Sequence, residues 1–162
     1  MTDTAPRQVA ADRRRSVWTG TMLGIAIMAA ADEIVFHQVL SWHHFYDRST
    51  PDISLLSDGL LQTAYLVLLV AGFFWFADLR RRGTLARRSA WGGFVLGLGI
   101  FHLFDGIVDH KLLDLHEIRY GVDVLPYDLA WNGVALVLLA VGAIMLWRSR
   151  DEGPAGDRKS VV

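Results

Sequence analysis

Four apolar stretches constrain this chain more than any other feature. They run from about Val17 to Leu40, Gly59 to Ala77, Ala90 to Leu113 and Leu129 to Trp147, each close to the ~20 residues that a helix needs to cross the hydrocarbon core of a bilayer. The pattern predicts an all-α membrane protein of four transmembrane helices. Overall composition agrees: 52% hydrophobic residues in a chain of 162, with a mean hydropathy of +0.30, is high for a soluble domain of this size.

The charges sit at the ends of these stretches, and their placement predicts orientation. Arg7, Arg13, Arg14 and Arg15 precede the first span. Arg80, Arg81, Arg82, Arg87 and Arg88 separate the second from the third, and Arg148, Arg150, Arg158 and Lys159 follow the fourth. The two remaining connections are acidic, with Asp47, Asp52 and Asp58 in one and Asp114, Glu117, Asp123 and Asp128 in the other. The positive-inside rule then predicts an inner-membrane protein with both termini cytoplasmic. The arginines read as topology signals and contacts to anionic lipid, and nothing points to nucleic acid.

The expected organisation is a disordered basic tail over 1–16, a first hairpin over 17–78 and a basic linker over 79–89. A second hairpin over 90–148 and a disordered tail over 149–162 complete it. Arg13–Arg15 followed by an apolar run reaching Ala29–Ala31 has the form of a cleavable signal peptide. An internal repeat argues against cleavage.

Shifting the chain by 73 residues lays Asp32–His43 over Asp105–His116, with identical residues at the Asp, Ile, Val, His, Leu and His positions of D-x-I-V-x-H-x-x-L-x-x-H. The same shift pairs Gly20 and Gly24 with Gly93 and Gly97. A shift of 70 pairs Asp58 with Asp128 and Leu66–Gly72 with Leu136–Gly142. The unit of helix, outer loop and helix therefore occurs twice, predicting a tandem repeat of two helical hairpins about a pseudo-twofold axis along the membrane normal. The paired GxxxG spacings predict close approach of the first and third helices. Asp58 and Asp128, each ahead of an apolar run, read as N-caps of the second and fourth.

Asp32 and Asp105 each stand about fifteen residues into a span, roughly 22 Å across a core of ~30 Å. A carboxylate at such depth costs roughly 2.5–3.5 kcal/mol unless paired, hydrated or protonated. Glu33 and Asp109 lie near the same level. The available partners are histidines, and all six in the chain fall in these two segments. At 100° per residue, Asp32 shares a face with His43, and Asp105 with Asp109 and His116, His102 lying close beside. A second stripe combines Glu33, His37 and His44, with His110 and Glu117 as its counterparts. Helices continued past the membrane edge would bring His37, His43, His110 and His116 together around the axis.

These residue types suit a metal site at the outer membrane boundary. His37, His43, His110 and His116 are candidate ligands, Asp32 and Asp105 either ligands or acceptors that orient the imidazoles, and Glu33, Asp109, His44, His102 and Glu117 secondary candidates. Without cysteine, and with only Met22, Met28 and Met145 in the spans, soft ligation is scarce. Zinc, iron, manganese or cupric copper fits better than cuprous copper. The same residues could instead form an interhelical hydrogen-bond network, handle protons or ions, or hold a haem through His37 and His110. His44 and His102, absent from the repeat, fit an interfacial belt with Trp42 and Tyr46. No nucleophile with a positioned base is evident, so an enzyme is the least supported class.

The paired motifs, D-x-I-V-x-H-x-x-L-x-x-H-H in the first span and F-x-D-G-I-V-D-H-x-L-x-x-H-E-x-R in the third, resemble those of a family of bacterial four-span predicted membrane proteins known as a domain of unknown function. The likeness covers roughly residues 17–147. Some members appear beside a copper-dependent cytochrome oxidase assembly factor, so the resemblance implies respiratory metal or cofactor handling. A respiratory assembly factor or a second copy of the chain would then join the lipid bilayer as a partner. Glu33 in the first motif faces Gly106 in the second, so the halves differ chemically.

Overall fold

A computed structural model describes residues 10–151. The described chain is all helical, with α1 at Arg13–Asp32, α2 at Pro51–Arg81, α3 at Arg87–Phe104 and α4 at Leu125–Arg148. α1 runs on into a wider helical turn at Glu33–Val39 and α3 into another at Asp105–Leu112. The four helices, extended in this way, are each long and apolar enough to cross a membrane. Their outward faces carry exposed large apolar residues such as Leu60, Val67, Phe74, Val137 and Ile144, the reverse of a soluble surface and the arrangement lipid requires.

All four helices begin earlier than the apolar blocks suggest, α3 at Arg87 and the other three each for a local reason. α1 begins at Arg13, inside the expected tail, because the Asp12 side chain accepts from the Arg15 N–H and caps the helix. α2 begins at Pro51, where proline's fixed φ and missing N–H suit a first turn. α4 begins at Leu125, again with proline in the first turn. Asp58 and Asp128 are consequently not N-caps: Asp58 lies two turns inside α2, and the Asp128 N–H already donates to the Val124 carbonyl. The expected disorder of residues 1–9 and 152–162 concerns segments outside the described residues.

α1 and α3 form the centre, with α2 packed on α1 and α4 on α3. Their crossing depends on bare backbone. A Cβ added at Gly20 would stand 2.0 Å from the Ala90 carbonyl oxygen, and one at Gly93 2.3 Å from that of Val17. One helical turn on, a Cβ at Gly24 would stand 2.1 Å from the Phe94 oxygen and one at Gly97 2.2 Å from the Thr21 oxygen. The contacts are reciprocal, each glycine of one helix lying on the backbone opposite the other's. Next to this seam, Ala26 and Ala29 of α1 and Tyr65 of α2 form an apolar core with Leu61, Leu68 and Phe101. The small side chains let helices approach closely where lipid gives no hydrophobic drive for association.

Candidate metal centre

Beyond Asp32 and Asp105 the hydrogen bonding changes from i→i−4 to i→i−5: the Leu40 N–H donates to the Val35 carbonyl at 2.9 Å and Leu113 to Val108 at 2.8 Å. In such a turn, residues five apart come to lie over one another, whereas in a regular α-helix they diverge by about 140°. The wider turn therefore sets His37 over Asp32, with Nε2 3.5 Å from Oδ2, and His110 over Asp105, with Nε2 3.2 Å from Oδ2. The regular-helix stripes missed both pairings for this reason.

The helices do not continue outward to carry His43 and His116. Ser41 and Asp114 both adopt φ of 49°, a left-handed conformation that non-glycine residues seldom take. There the chain turns back over the bundle. His43 and His116 lie on these return segments, both buried, and the four repeated histidines meet all the same. The His37 and His43 rings are 4.5 Å apart, His43 stacks on His116 at 4.4 Å and 12°, and His116 meets His110 at 4.7 Å.

The two return segments hold each other's rings. His43 Nδ1 is 2.8 Å from the Ile118 carbonyl oxygen, and His116 Nδ1 is 2.9 Å from that of Phe45. A carbonyl only accepts, so each Nδ1 carries the hydrogen and each Nε2 of the neutral ring presents its lone pair inward. Further ties join the segments: the Asp47 N–H donates to the Leu115 carbonyl at 3.0 Å, and Arg48 donates to the carbonyl and carboxylate of Asp114. Side-chain Nε2 atoms of His37, His43, His110 and His116 are all buried without a hydrogen-bond partner among the described residues.

Two triads result, Asp32–His37–His43 and Asp105–His110–His116, each with donor atoms within 4.8 Å of one another and every residue buried. A third set, Glu33–His37–Asp58, shares His37. Its hub is Asp58, whose Oδ1 accepts from His37 Nδ1 at 3.0 Å and from the Phe45 N–H at 2.7 Å, while Oδ2 meets His44 Nδ1 at 2.6 Å. His44 is thus part of the site's support. Glu33 Oε2 lies 2.9 Å from His37 Nδ1, and Glu33 Oε1 accepts from Gln38.

The second half differs. Asp128 sits 3.9 Å from His110 Nδ1 and pairs with Lys111. A Cβ at Gly106 would approach Asn132 Oδ1 to 2.6 Å and Trp131 to 2.7 Å, so α4 fills the space that Glu33 takes in the first half. Of the secondary candidates, Asp109 is buried nearby but belongs to none of the three sets. Glu117 is half-buried, its N–H donating to the Tyr120 hydroxyl, and His102 stacks on Trp131 at 3.9 Å. Asp58 and Asp128 are the functional candidates that sequence reasoning assigned to another role; their matched positions were the available signal.

Burial pushes His43 down to about 3, helped by the neighbouring charges of His116 and His37 and opposed by the Ile118 carbonyl and Asp105. Burial likewise lowers His116 to about 4, with Asp105 opposing and His110 and His37 adding to the shift. An unfolded histidine titrates near 6.5, so below that pH the unfolded chain takes up protons that the folded chain refuses. The contribution of these two rings to stability should therefore fall as pH drops from about 6.5 toward 4, by about 1.4 kcal/mol per pH unit for each ring. Above 6.5 these two rings contribute no slope. Denaturation curves in detergent with a chelator present check this as a difference: wild type should lose stability relative to His43→Ala/His116→Ala between about pH 7 and 4.5, and parallel profiles of the two proteins would contradict it.

Compared with family models, residues 19–149 match one described as a predicted membrane protein, DUF2243. No curated protein and no solved structure matches the chain.

Proposed function

The chain belongs to this family of predicted membrane proteins, and from its buried cluster we propose that it binds transition-metal ions, one in each Asp–His–His triad. One observation carries the reading: His43 and His116 are each locked by a backbone carbonyl in the tautomer whose Nε2 lone pair points into a buried, acceptor-rich space. Lone pairs and carboxylates that face one another need a cation between them. An unsatisfied buried acceptor costs about 1–3 kcal/mol, and imidazoles that hydrogen-bond outward through Nδ1 are the usual form of metal-bound histidine.

Distances support the assignment. Two ligands about 2.0–2.1 Å from one ion stand about 3.3 Å apart in tetrahedral coordination; the His37–Asp32 and His110–Asp105 separations are 3.5 and 3.2 Å. Three protein ligands per ion leave a position open for water or another ligand. The imidazole and carboxylate donors suit zinc, iron, manganese or cupric copper. A haem ligated by His37 and His110 is less well supported, because the His43 and His116 rings stand between them.

By the positive-inside rule the centre lies toward the extracytoplasmic face of a bacterial inner membrane, with both termini cytoplasmic. Such a site fits metal binding or delivery, including respiratory metal handling with an assembly factor. Elemental analysis of detergent-purified protein is the test. We expect about two equivalents of one transition metal per chain, one for each three-ligand site. A single equivalent would mean an ion shared between triads. Protein that folds yet stays empty after incubation with zinc, manganese, ferrous and cupric salts would overturn the reading in favour of a structural polar network.

A further inference from the structure

At the arginine-rich end, far along the helices from the histidines, a groove of about 540 Å³ opens between α1, α2 and α3. Its walls are apolar: Leu23 and Ile27 from α1, Phe73 and Phe76 from α2, Trp91 and Phe94 from α3. Arg80 and Arg87 line one end. The seven rises of ~1.5 Å from Phe73 to Arg80 give the groove a length of roughly 10 Å along the helix axis.

The arginines around it are not equivalent. Arg81 and Arg82 are both paired with Asp78, at 2.9 and 2.8 Å. Arg80 and Arg87 are exposed, and neither forms an ion pair with an acidic side chain among the described residues. Two unneutralised guanidinium groups thus cap an apolar trough on a helix bundle built for lipid. Guanidinium forks match phosphate oxygens, and basic pockets between transmembrane helices receive anionic headgroups. Trp91, largely exposed beside Arg87, supplies the amphipathic ring favoured at headgroup level.

We propose that this groove is a binding site for an anionic phospholipid, the phosphate held by Arg80 and Arg87 and the start of one acyl chain lying along Phe73, Phe76 and Phe94. The charge complementarity selects the headgroup, while the apolar walls require the chain. This site is separate from the metal centre and stands or falls independently of it.

Native mass spectrometry of delipidated full-length protein in detergent, titrated with phosphatidylglycerol, tests the proposal. Phosphatidylglycerol should bind at least about tenfold more tightly than phosphatidylcholine of the same chains, and Arg80→Gln/Arg87→Gln should remove that preference. Arg81→Gln/Arg82→Gln, which removes an equal charge from the same end, should leave it in place. Equal binding of the two lipids, or equal losses in both double variants, would overturn the site. Displacement of phosphatidylglycerol by millimolar glycerol phosphate would also overturn it, since a headgroup alone would then suffice. Retention of the native helical circular dichroism and monodisperse elution of both variants keeps misfolding from imitating a positive result.

Discussion

Gly20→Val and Gly93→Val should each abolish the native fold. The added Cβ would lie 2.0 Å from the Ala90 oxygen in one case and 2.3 Å from the Val17 oxygen in the other, and neither obstacle is a side chain that can rotate away. Relief requires α1 and α3 to separate over at least a turn, which would also break the contacts at Gly24 and Gly97. A destabilisation above about 4 kcal/mol is expected, at the extreme of single substitutions. Gly59→Ala is the control: nothing lies within 4 Å of a Cβ there, and alanine should stabilise this helical position by up to about 1 kcal/mol. Thermal unfolding followed by elution in detergent distinguishes these outcomes. Native-like Gly20→Val protein would show that the α1–α3 crossing is not the central contact.

His43→Ala/His116→Ala should yield folded protein that no longer retains metal, with affinity at least about 100-fold weaker. Both rings lie on return segments outside the spans, so the helix crossing survives their loss. Each triad loses one of its three ligands and keeps a histidine and an aspartate. Asp58→Asn separates orientation from ligation: it weakens the hold on His37 Nδ1 and His44 without removing any triad donor, and a loss of about 10- to 100-fold in affinity is expected. Isothermal titration with the metal identified by elemental analysis reads both effects. Unchanged affinity in the double variant would exclude His43 and His116 as ligands.

The helices were legible because each is a long apolar block, and the α1–α3 seam because Gly20, Gly24, Gly93 and Gly97 recur at a spacing that packs. Helix starts were less so, since Pro51 and Pro126 initiate helices ahead of the apolar runs. Within the site, composition and matched spacing were enough to bring His37, His43, His110 and His116 forward as a group. The way they meet was not readable. A regular 100° step places Asp32 and His37 on different faces, and only the widening of the turn beyond Asp32 brings them together. Nor does any local pattern announce that Ser41 and Asp114 turn the chain back, which is what moves His43 and His116 off the helical faces and Asp58 into contact with His37 and His44.

The exchange of supports between the return segments has a consequence for biogenesis. His43 is oriented by a carbonyl at Ile118 and His116 by one at Phe45, so neither hairpin alone fixes the last histidine of its own triad. A ribosome delivers the first hairpin before the second exists, and during that interval His43 lacks the Ile118 carbonyl that orients it. Orientation of both histidines is therefore a late event that requires both hairpins at once, a coincidence detector for correct assembly. An ion captured at that moment would fasten the halves together and make their union hard to reverse.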